Sequence, residues 1–172
     1  MTRKTYMLLI CIMLFWDYVC SGKLTQSEWG DPKVEVEKDV SQWTIQGERL
    51  TVVIDSNTLA MQIRDKETSW EIEDSTQGDL TVEHGDRNIS LCLKDAKQID
   101  IEPYETGFKS GIKIQLSDYI HRDKLLKISL QLNICLQAPS EDLVCELVAA
   151  EDSAVVKECL WPAPFKRASF DF

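Results

Sequence analysis

Side chains able to do proton or nucleophile chemistry near neutral pH are few in this sequence. The two histidines, His84 and His121, stand in the charged turns Glu83-His84-Gly85-Asp86 and Ile120-His121-Arg122-Asp123. That context is a solvated loop rather than a positioned general base. Carboxylates are abundant, and Glu71, Glu73 and Asp100 fall on the polar phase of strand-like segments. A glycosidase pair needs two carboxyl groups held about 5–9 Å apart across a bond, and no pair is singled out, so an exposed acidic face is expected. The Gly-x-Ser-x-Gly elbow, the phosphate loop, the dinucleotide fingerprint and His-Glu-x-x-His are all absent. No catalytic residue is therefore assigned.

Cys92, Cys135, Cys145 and Cys159 lie beyond the first 22 residues, and none of their spacings makes the close chelating pair of a tetrahedral zinc site. Neither a metal nor another cofactor is expected. In an oxidising compartment four cysteines allow three pairings. Cys92 and Cys135 both fall on the polar phase, so a bridge between them would require neighbouring strands; free thiols are the expectation.

Aromatic faces stack on sugar rings, which draws attention to the tryptophans. Trp70 keeps phase with Ile72 and reads as core. Trp161 and Phe165 stand in the run Trp161-Pro162-Ala163-Pro164-Phe165, ahead of Phe170 and Phe172, and are the candidate ligand-binding residues. So dense an aromatic tail is costly to expose and reads as a connector or strand that seeks a packing partner. Asn88-Ile89-Ser90 matches the N-glycosylation acceptor pattern.

The elements that must position these residues follow from patterning. Of 172 residues, 44% are hydrophobic and 28% charged, a globular balance that predicts one domain. Nineteen Lys and Arg against 29 Asp and Glu leave a net charge of -10, which argues against nucleic-acid binding. Arg3 and Lys4, an apolar run of eleven from Tyr6 to Trp16, and the small residues of Val19-Cys20-Ser21-Gly22 have the order of a secretory signal over 1–22. The run is short of the roughly 20 residues that span a bilayer, so no membrane association is expected after cleavage. Loss of Arg3, Lys4 and Asp17 takes the charge from -10 to -11 in a secreted, extracellular or periplasmic chain.

Residues 23–42 read as a polar lead-in with an edge strand near Val34 to Glu37, 43–160 as the folded domain, and 161–172 as the aromatic connector. Alternation runs through Leu50, Val52 and Ile54, through Leu59, Met61 and Ile63, and most strongly from Leu126 to Leu136. Turn residues separate about ten such strands, with helical turns expected only within Asp118 to Lys124 and Ala149 to Lys157. Strands with one apolar face need a second layer, so an all-β, antiparallel β-sandwich is predicted, with a closed barrel as the alternative.

The stretch from Leu50 to Trp70 then resembles the opening of a known domain. Ser56-Asn57-Thr58-Leu59 and Asp65-Lys66-Glu67-Thr68 stand where the galactose-mutarotase-like β-sandwich N-terminal to the barrel of large α-glucosidase-type glycoside hydrolases has its recurrent turns. Trp161-Pro162-Ala163-Pro164-Phe165 resembles the segment that leaves such a sandwich. The resemblance covers roughly 43–172 and implies a partial mutarotase-like sandwich, with carbohydrate or a neighbouring catalytic domain as partner. It transfers no catalytic residue. A non-catalytic, secreted module supporting a glycan site is the expected function, and a free-standing secreted glycan- or protein-binding protein is the alternative.

Overall fold

A computed structural model describes residues 33–163 and 166–167. Residues 1–22, expected to be a signal, the expected lead-in as far as residue 32, Phe165, Phe170 and Phe172 lie outside the described residues. The fold is an antiparallel β-sandwich. Its strands are β1 (Glu35–Lys38), β2 (Gln42–Gln46), β3 (Thr51–Asp55), β4 (Met61–Arg64), β5 (Ser69–Ile72), β6 (Leu80–His84) and β7 (Arg87–Leu91). After a 3-10 turn at Leu93–Asp95 come β8 (Gln98–Glu105), β9 (Lys109–His121), β10 (Lys124–Gln137), β11 (Asp142–Glu151), β12 (Val155–Cys159) and β13 (Lys166–Arg167).

The strands form three sheets, ordered β1-β2-β3-β4-β5-β13, β11-β10-β9-β8 and β12-β6-β7. Period-two alternation becomes rows of apolar side chains across each sheet. Trp43, Ile54, Met61 and Ile72 stand in register across β2 to β5, as do Ile45, Val52, Ile63 and Trp70. Ile101, Ile114, Leu132 and Leu147 form a row of the four-stranded sheet. These rows meet in one core, which Leu80, Val82 and Leu91 of the third sheet join. As the alternation predicted, β10 is an interior strand, and Leu126 to Leu136 on its inner phase are each at most 2% exposed. Pro103, which cannot donate to a ladder, lies on the edge strand β8.

Two expectations are corrected. Asp118 to Lys124 holds no helical turn: Arg122 and Asp123, at φ 48° and 63°, close a two-residue β9–β10 hairpin. Positive φ at both positions matches the twist of the flanking strands, so a local charge cluster makes a hairpin instead of a helix. Residues 149–157 belong to β11, its turn and β12. The one described helical turn is Leu93–Asp95, where Leu93 is buried and Tyr119 donates its hydroxyl to the Leu93 carbonyl at 3.2 Å.

Phase also shifts within β9. A bulge sets two residues of β10 against one of β9, and Asp118 takes φ 57°. Tyr119 consequently turns inward at 0% exposure while Ile120 stands 52% exposed.

Candidate functional site

The outer face of β8–β11 carries a continuous polar network. Glu102, Lys113, Asn133 and Glu146 lie in one cross-strand row, with Gln115 and Gln131 in the next. Lys109 Nζ meets Glu146 Oε1 at 2.5 Å, and Asn133 Nδ2 donates to Glu146 Oε2 at 3.2 Å. Gln131 Nε2 donates to Asn133 Oδ1, and Gln115 Nε2 to Gln131 Oε1, each at 3.0 Å. Lys113 Nζ pairs with Glu102 Oε1 at 2.5 Å. The Lys109 hydrogen bond, followed by that of Asn133, holds the Glu146 carboxyl below its ordinary range, and Glu146 in turn raises Lys109. The Glu146 carboxylate is thus a fixed acceptor rather than a proton donor. An array of amides and paired charges suits a hydroxyl-rich ligand, which offers and accepts hydrogen bonds at close spacing.

Sequence order makes this network from residues that period two alone would leave in solvent. Asn133 is only 4% exposed, and Cys135 on the same phase only 1%. Burial pushes the Cys135 thiol up to about 11. Its neighbour Cys145 pairs with Ile134 and follows the opposite, inner phase; burial raises it to about 11 too. Cys92 follows β7 and Cys135 lies in β10, strands of different sheets, and the four cysteines among the described residues are free thiols. No group of three or more His, Cys, Asp or Glu among the described residues is arranged to hold a metal ion.

A second surface is a groove of about 570 Å³ on the six-stranded sheet, lined by Gln42, Asp55, Gln62, Glu71 and Glu73 among others. Gln62 Nε2 donates to Glu71 Oε1 at 3.2 Å. The Asp55 carboxylate accepts the backbone N–H groups of Asn57 and Thr58 at 2.8 and 2.9 Å. The Thr58 bond outweighs partial burial and lowers the Asp55 pKa, so this carboxylate organises the turn. Asp100 stands on the outer phase of β8 and accepts from Gln98 Nε2 at 2.6 Å.

Trp161 is half-buried and packs against the core, as does Trp70, while Phe165 lies outside the described residues. The histidines, which sequence places 37 positions apart, come to one cleft with Arg87, Arg122 and Lys124. Each histidine and cation are cross-strand partners in a hairpin, a signal visible in sequence only once both turns are recognised.

No family model and no curated protein matches this sequence. Among solved structures, an α-N-acetylgalactosaminidase from Bifidobacterium bifidum, NagBb in complex with Gal-NHAc-DNJ, matches with a TM-score of 0.57 at 20% identity. The likeness covers 72% of this chain and 19% of the enzyme. The sandwich is thus similar in fold to a part of that glycoside hydrolase. At this identity the likeness is one of architecture, and the chain spans about a fifth of that protein's length.

Proposed function

We propose that the chain is a secreted, non-catalytic β-sandwich of a carbohydrate-active protein, of the galactose-mutarotase-like kind that precedes a glycoside hydrolase barrel, and that it supports or shapes a glycan site. The carrying observation is the fold likeness, which takes in most of this chain and only a fifth of a much larger glycosidase. The amide and carboxylate network on β8–β11 supports the reading, because its donors and acceptors are held in place by one another. The proposed partners are carbohydrate and a neighbouring catalytic domain, with Trp161 and Phe165 as proposed contacts. The signal-like order of residues 1–22 supports export.

The test combines a glycan array probed with the full chain and an assay of the same material against aryl glycosides. Glycan binding without turnover is expected. Turnover that survives purification would overturn the non-catalytic role. Binding to no glycan, together with a transcript that encodes no catalytic domain beside this one, would overturn the carbohydrate reading.

A further inference from the structure

The two hairpins at one end of the sandwich repeat a short pattern. His84-Gly85-Asp86-Arg87 closes β6–β7 and His121-Arg122-Asp123-Lys124 closes β9–β10. Each is histidine, a variable residue, aspartate and a cation, with histidine and cation paired across the hairpin: His84 with Arg87, His121 with Lys124. The hairpins belong to different sheets, yet both line one cleft of about 630 Å³. That volume falls within the range of about 300–1,000 Å³ typical of small-ligand sites.

The cleft is held together by backbone that neither hairpin supplies. His84 Nδ1 donates to the Ser153 carbonyl at 2.8 Å, leaving Nε2 to a ligand. Ser153 in turn fastens to β10: its hydroxyl accepts the Lys127 N–H at 2.8 Å, and its own N–H reaches the Lys127 carbonyl at 3.3 Å. The β11–β12 turn therefore joins the histidine of one hairpin to the strand that carries the other.

The charge is out of character for this chain. Acidic residues outnumber basic ones by 29 to 19, yet Arg87, Arg122 and Lys124 line the cleft against Asp86 as the lining carboxylate. None of the three cations makes an ion pair among the described residues, whereas nearby Glu83 is occupied by Lys157 at 2.5 Å. Guanidinium and ammonium groups left unpaired in a concave surface are suited to carboxylate or sulfate, which they bind through charge-assisted hydrogen bonds. Asn88 and the free imidazole nitrogens add partners for hydroxyls.

The geometry points to a binding site for an acidic saccharide, whose uronate carboxylate or sulfate ester is held by Arg87, Arg122 and Lys124 while His84, His121 and Asn88 contact its hydroxyls. This assignment rests on the carbohydrate reading above and narrows it to anionic sugars at one place. Asn88 lines the cleft, so an N-linked glycan there would compete for it.

The experiment uses the full chain from a host that adds no N-glycans, titrated calorimetrically with trigalacturonate, a sulfated galactose oligosaccharide, its unsulfated counterpart and inorganic sulfate. At least one acidic saccharide should bind, the unsulfated oligosaccharide should not bind at the cleft, and affinity should fall as salt rises. Arg87→Gln, Arg122→Gln and Lys124→Gln should each weaken binding by about tenfold, with Arg64→Gln as an unaffected control. Unchanged thermal midpoints should show that these exposed changes leave the fold intact. Acidic saccharide binding that is indifferent to the three substitutions would overturn the site, as would binding of inorganic sulfate without any saccharide. A neutral glycan that binds equally well to the triple variant would overturn this site while leaving the carbohydrate reading standing. Binding of none of these saccharides would overturn this site, and would overturn the carbohydrate reading as well only if the transcript encodes no catalytic domain beside this one.

Discussion

Glu141 offers a sharp test of what joins the two large sheets. It sits in the β10–β11 turn at φ 55° and 6% exposure. Its carboxylate accepts three backbone N–H groups of the β2–β3 turn: Glu48 at 2.7 Å, Arg49 at 2.8 Å and Leu50 at 3.2 Å. The approach is close enough that a Cβ at Gly47 would lie 2.6 Å from Glu141 Oε2. Burial alone would raise this carboxyl, but the three hydrogen bonds together prevail and lower it. Bonds to a charged acceptor contribute about 1.5–3 kcal/mol each when sheltered, and water can reach part of this turn, so Glu141→Ala should cost about 3 kcal/mol in all. Glu141→Gln keeps an acceptor oxygen and should cost about half as much. At this chain length 1 kcal/mol corresponds to about 2–4 °C, so the alanine variant should melt about 6–12 °C lower. The sign with pH follows from the lowered pKa. The stabilisation is present above the ordinary glutamate value of about 4.5 and is lost as pH falls through the folded-state value. Denaturant unfolding at pH 7, 5, 4 and 3 should therefore show the gap between wild type and Glu141→Gln narrowing with acid. A loss below about 0.5 kcal/mol for Glu141→Ala, or a gap that does not change with pH, would refute the clamp.

Four further outcomes are expected. Leu130→Ala, at a fully buried site in an interior strand, should cost about 2–5 kcal/mol in chemical unfolding, while Ser129→Ala on the outer phase should be nearly neutral. Gly111→Ala should be strongly destabilising, because a Cβ there would fall 2.0 Å from the Ile134 carbonyl oxygen; soluble expression at wild-type melting temperature would contradict that close approach. Burial raises all four cysteine thiols, so iodoacetamide at pH 8 should modify them slowly in the native chain and fully in guanidinium, as followed by intact mass. Exported protein should begin near Gly22 or Lys23 by terminal sequencing, and folded, exported chain that retains Met1 would refute the signal assignment.

Sequence by itself determined the antiparallel all-β character, the acidic balance and the inner phase of β10, because each depends on local pattern, while the choice of sandwich over closed barrel lay in the sheet pairing. Leu126 to Leu136 can bury one face only as a strand, and that periodicity needs no knowledge of neighbours. Tertiary structure decided matters that local pattern does not encode. The β9 bulge, which turns Tyr119 inward and Ile120 outward, arises from unequal pairing with β10, and alternation carries no sign of it. Cys135 and Asn133 keep the outer phase yet are buried, since long side chains from adjacent strands close over them. The clamp at Glu141 joins turns 91 to 93 residues apart, and the basic cleft unites two hairpins of different sheets. Each of those arrangements is a long-range contact whose partners are chosen by sheet packing, so the residues were visible in the chain while their meeting was not.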